Sequence, residues 1–182
     1  LNKNIQALYK LVFLGDGNDR AKVEEYVKEK KLAENVIFPG FDNNPYKWFK
    51  NAANLRNINS FLEGCTGFIS ALPSSLLEGC KSLQNVSSMF RGCTNITGEL
   101  DITLFNDCRG TLTNTSYMFY GCPYLTAIRV VDFDTSNVTN MSHMFDGCNA
   151  ITTLALSAWN TSKVTDMSYM FNKCNRLASL DL

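Results

Sequence analysis

Residues 136–156 read SNVTNMSHMFDGCNAITTLAL, and residues 162–182 repeat them with few changes as SKVTDMSYMFNKCNRLASLDL. Side chains placed for chemistry need to occur once, whereas side chains placed for stacking recur at a fixed step. The cores Met89-Phe90-Cys93, Met118-Phe119-Cys122, Met144-Phe145-Cys148 and Met170-Phe171-Cys174 do recur, the last two steps being 26 residues each. A period in the twenties predicts a repeat array in which each unit buries its apolar face against its neighbour. Earlier, less regular copies read FLEGC at 61–65, LLEGC at 76–80 and LFNDC at 104–108. Within one unit, Val138, Met141, Met144, Phe145 and Cys148 follow helical spacing, with Ser136 placed to cap the start and Gly147 to end it. Ile151, Leu154 and Leu156 then read as a short strand, as do Leu125, Ile128 and Val130, and Leu177, Leu180 and Leu182. The expected unit is therefore a helix followed by a strand.

The totals exclude several partners. Lys plus Arg equals Asp plus Glu at 17 each, so the chain lacks the basic surplus of a nucleic-acid binder. No apolar run approaches the roughly 20 residues needed to cross a bilayer. The start LNKNIQALYK has neither an initiator Met nor the apolar core of a signal peptide, and the chain reads as a piece of a longer protein.

The repeat resembles the BspA-like leucine-rich-repeat surface proteins over about residues 60–182, whose copies follow the order W-N-T-S-x-V-T-x-M-S-x-M-F-x-x-C-x-x-L-x-x-L-x-L. That resemblance implies a leucine-rich-repeat solenoid and a non-enzymatic protein-binding or adhesion module. It also implies a place at the cell surface or outside the cell, with a protein or host-surface ligand as partner.

The first fifty residues carry no trace of the repeat. KLVFLGDG reads as a strand ending in glycines, DRAKVEEYVKEKKLAEN as a helix with Val23, Val27 and Leu32 inward, VIFPGF as a second strand and PYKWFKNAA as a second helix. Residues 8–53 resemble the carboxy-terminal Rossmann-like donor domain of group 1 glycosyltransferases. By that resemblance Gly15, Gly17 and Gly40 match glycines that approach a nucleotide sugar, with Phe38 beside the base. The family's donor-diphosphate Arg and Lys and its two-glutamate motif have no match, so a glycosyltransferase remnant, cytoplasmic in that case, is the alternative function. The expected organisation is α/β throughout: a short Rossmann-like βαβα segment over 1–53, followed by a solenoid of helix-strand coils over 54–182.

Single residues are read against their repeat slots. His143 is the one histidine. Its slot holds Ser88, Tyr117 and Tyr169 in other copies, which describes a variable surface position more than a catalytic base. The seven cysteines are spaced for neither a C-x-x-C zinc site nor paired bridges, and equivalent slots point to a column of buried thiols. No metal, cofactor, disulfide or catalytic residue is expected. Tyr117, Tyr120, Tyr124 and Tyr169 are candidates for the binding surface, either as exposed anchors or as shields of a helix ridge.

Overall fold

A computed structural model describes residues 11–14, 20–30, 36–40, 52–67, 75–129 and 133–181. The chain divides into two compact units, 1–48 and 49–182. In the first, strands β1 (Leu11–Leu14) and β2 (Val36–Gly40) pair in parallel, and α1 (Arg20–Glu29) lies between them in sequence. Val27 is buried on α1, whereas Tyr26 is 56% exposed with the Lys30 ammonium over its ring. The expected second helix, PYKWFKNAA, lies outside the described residues apart from Ala52 and Ala53, which are not helical.

The second unit is a stack of turns. Its strands are β3 (Gly98–Asp101) and β4 (Leu125–Arg129), paired in parallel, and β5 (Thr153–Ala155) and β6 (Ser179–Asp181), also parallel. A 3₁₀ turn spans Thr103–Cys108. The expected α/β architecture, a Rossmann-like βαβα segment followed by a leucine-rich-repeat solenoid of helix-strand coils, is not what the described residues show. Among the described residues α1 is the one α-helix, and the strands make three separate two-stranded sheets.

Two local devices displace the expected helix. The first is an Asx turn: the side-chain oxygens of Asn57, Asn85, Asn114, Asn140 and Asp166 each accept the backbone N–H two residues on, at 2.9–3.0 Å. Such a side chain offers the backbone an alternative to helical pairing. The second is a left-handed residue three positions later: Ser60, Ser88, Tyr117, His143 and Tyr169 all have φ between 54° and 58°. A left-handed L-residue costs about 1–2 kcal/mol, and hydrogen bonds to the next unit offset it. The N–H groups of Met141, His143, Phe145 and Gly147 donate to Asp166, Ser168, Met170 and Asn172 carbonyls at 2.8–2.9 Å. Those of Met144, Asp146 and Cys148 turn back three residues within their own unit. An α-helix would use every one of these donors internally. Here alternate donors bind neighbour to neighbour, and parallel bridges join Asn57, Asn85, Asn114, Asn140 and Asp166 in order.

The predicted apolar face is nonetheless inside: Val138, Met141, Met144, Phe145 and Cys148 are all 0% exposed. Phe90, Phe119, Phe145 and Phe171 stack with near-parallel rings, centroids 5.4, 5.6 and 5.8 Å apart. Beside them runs the thiol column. Cys93, Cys122, Cys148 and Cys174 each donate to a carbonyl of the preceding unit at 3.0–3.1 Å, and Cys108 donates to Cys80 at 3.4 Å. None of the seven cysteines, all of them among the described residues, is in a disulfide. Burial pushes Cys93 and Cys174 up to about 11 and Cys108 and Cys122 up to about 12, and it raises Cys80 and Cys148.

The last unit has no neighbour among the described residues on its outer side. Met167 is 43% exposed where Met141 is 0%, and Leu180 is 36% exposed where Leu154 is 2%. This unit also breaks the glycine column. Gly64, Gly92, Gly121 and Gly147 hold the left-handed position before the cysteine, and Lys173 holds it at φ 57°. Lys173→Gly is expected to stabilise the second unit by about 1 kcal/mol, the strain removed less the added entropy of the unfolded glycine. A urea midpoint that does not rise would show that the turn carries no strain there.

Candidate functional site

The left-handed position turns its side chain out of the stack, and the residue three further on lies beside it. The five units thereby present paired side chains in order: Ser60 and Glu63, Ser88 and Arg91, Tyr117 and Tyr120, His143 and Asp146, Tyr169 and Asn172. Contacts run through most of them. Glu63 pairs with Arg91 at 3.2 Å, and the Arg91 guanidinium lies 5.8 Å from the Tyr117 ring centroid and 5.2 Å from that of Tyr120. His143 is stacked between Tyr117 at 4.5 Å and Tyr169 at 4.8 Å. Its Nδ1 lies 2.8 Å from Asp146 Oδ2, and Asp146 Oδ1 accepts the Asn172 side-chain amide at 3.0 Å. The result is a ridge of rings and charges along one edge of the stack.

The ridge sorts the predicted residues. Tyr117, Tyr120 and Tyr169 belong to it, Tyr169 being 64% exposed and the other two half-buried. Tyr124 does not; it is 60% exposed and lines a separate depression with Pro123, Asn149, Ala150 and Arg176. The shielded helix that these rings were candidates to cover is absent, so their packing is ring on ring.

His143 has an orienting carboxylate, and both faces of its ring are covered by tyrosines. What that arrangement does is fix the imidazole as a rung. The clue in the sequence was its slot, where aromatic rings fill three consecutive copies. Arg91 was missed because its partners lie a full unit away in each direction. Among the nucleotide-sugar candidates, Phe38 and Gly40 sit in β2, whose side chains are not described, and Gly15 and Gly17 lie outside the described residues.

The described surface carries shallow depressions, among them three lined by neither His143 nor any cysteine. One, a groove of roughly 490 Å³, runs past Arg56, Gln84, Thr113 and Thr139. Among the described residues no cluster of His, Cys, Asp and Glu could hold a metal ion, and no helix is long and apolar enough to cross a membrane.

A stack of turns built on one recurring pattern of Asx turn, left-handed residue and buried Met-Phe-Cys core defines a repeat protein. The chain belongs to the family described as Mycoplasma protein of unknown function, DUF285, whose model matches residues 84–181. No curated protein and no solved structure matches it.

Proposed function

We propose that residues 49–182 form a non-enzymatic protein-binding module of a cell-surface protein, and that the ridge from Arg91 to Tyr169 is its contact surface. The observation that supports this reading most is the pre-ordered set of Arg91, Tyr117, Tyr120, His143 and Tyr169, of which Arg91 and Tyr169 are exposed and the other three half-buried. Aromatic and Arg side chains dominate the energetics of protein interfaces. Rings already stacked on one another lose little rotamer freedom when a partner arrives, so more of the contact energy remains as affinity.

The test is attachment of beads coated with the chain to cultured host cells, before and after the cells are treated with protease. Attachment that is sensitive to protease and lost in the Tyr117→Ala, Tyr169→Ala double variant supports the reading. The variant's thermal midpoint is measured alongside, to separate lost contact from lost folding. Attachment unchanged in a folded double variant overturns the ridge as the contact surface.

A further inference from the structure

The roughly 490 Å³ groove uses residues outside the ridge. Two columns line it, and both cross the stack. One is Arg56, Gln84, Thr113 and Thr139, and the other includes Lys81, Thr111, Asn137 and Lys163. The first column is a ladder. Gln84 donates its N–H to Arg56 O at 2.9 Å, Thr113 to Gln84 O at 2.8 Å and Thr139 to Thr113 O at 2.9 Å. The threonine hydroxyls donate to the same carbonyls, Thr113 at 3.2 Å and Thr139 at 3.1 Å.

That ladder decides what the threonines can offer a ligand. A hydroxyl has one hydrogen and two acceptor lone pairs. With the hydrogen committed to the carbonyl behind it, each Thr turns acceptor capacity towards the groove, which suits an incoming O–H. Three cations complete the lining, Arg56, Lys81 and Lys163, and no carboxylate joins them. All three are exposed, and Lys163 Nζ donates to Asn137 Oδ1, which holds it at the groove wall. Asp134 lies near Gly110, its Oδ1 engaged by the Ser136 N–H at 2.9 Å. The other carboxylate oxygen, Oδ2, lies beside Gly110 at the groove's edge, so on a chain of formal net charge zero three lining cations against one edge carboxylate still make a local excess of positive charge.

We propose that this groove binds a linear anionic polysaccharide, lying along the stack axis across successive units. Acidic groups on the sugar meet Arg56, Lys81 and Lys163, and sugar hydroxyls donate to the threonine column. A single-stranded nucleic acid fits less well. It binds through aromatic platforms that stack its bases, and none of the residues lining the groove is aromatic.

The experiment is calorimetric titration of the full chain with four probes: a heparin hexasaccharide, the same hexasaccharide desulfated and with its carboxyls reduced, neutral dextran, and an oligo-dT of equal charge. Saturable binding of the heparin probe that weakens as salt is raised is expected, since screening acts on exposed charges. Lys81→Ala and Lys163→Ala are each expected to weaken it about tenfold, the loss of one charge-assisted hydrogen bond. Thr139→Val keeps the shape, removes the acceptor and is expected to weaken binding severalfold. Tyr169→Ala is expected to leave it unchanged, which separates this site from the ridge. The proposal is overturned if the heparin probe does not bind saturably, or if folded lysine variants bind it as tightly as the parent. It is equally overturned if oligo-dT or dextran binds as well as heparin.

Discussion

Between about pH 9 and 11, residues 49–182 are expected to unfold in one transition, because the unfolded chain ionises thiols that the folded chain keeps protonated. An exposed cysteine titrates near 8.5, whereas burial holds Cys93 and Cys174 up to about 11 and Cys108 and Cys122 up to about 12. Cys80 and Cys148 are raised by the same cause. Above the unfolded value the folded state binds more protons than the unfolded one, so stability falls as pH rises. Each thiol held up to about 11 or 12 removes about 1.4 kcal/mol per pH unit, and those four together remove on the order of 5 kcal/mol per unit, against a typical total of about 5–15 kcal/mol. Far-ultraviolet circular dichroism and thiolate absorbance, followed together under reducing conditions, should change in one step and return on neutralisation. Thiolate absorbance that rises while the dichroism stays constant would mean water reaches the sulfurs in the folded state.

The second large effect concerns the ring stack. Phe145 is 0% exposed, lies between Phe119 and Phe171, and faces Trp159 at 6.3 Å. Phe145→Ala is expected to cost about 3–5 kcal/mol, from lost burial and the cavity left behind. Three ring pairs vanish with it, those with Phe119, Phe171 and Trp159, each contributing about 0.5–1.5 kcal/mol beyond area. Phe171→Ala removes a half-buried ring with one stacking neighbour, so its cost should be well under half as large. Urea denaturation of both variants measures the ratio. Equal costs at the two positions would mean that the rings are stabilised one by one, with no contribution from the column.

Which side chains point inward could be read from the sequence, and how the backbone places them could not. Val138, Met141, Phe145 and Cys148 recur at intervals that a helix brings to one face. A pair of tight turns brings the same intervals inward, so the pattern is common to both. The discriminating signal was polar: Asn57, Asn85, Asn114, Asn140 and Asp166 hold one slot, and an Asx residue repeated at one position favours a turn over a helix interior. The left-handed backbone at Tyr117 and Tyr169 left no such trace, because tyrosine, unlike Asn, Asp or His, is not enriched there. Tyr117, Tyr120 and Tyr169 were identifiable as candidates, yet only the stacking order separates them from Tyr124. The cationic groove was hidden because Arg56, Lys81 and Lys163 are far apart along the chain and meet only across units.

The alternating hydrogen bonds have an evolutionary consequence. Each unit shows its neighbour a row of donors on one side and a row of acceptors on the other, so any interior copy can be excised and the rows on either side still fit. Copies as alike as 136–156 and 162–182 invite unequal exchange between their coding segments. Such exchange, in steps of one whole turn, can lengthen or shorten the ridge and groove in a single generation while every surviving junction keeps its geometry.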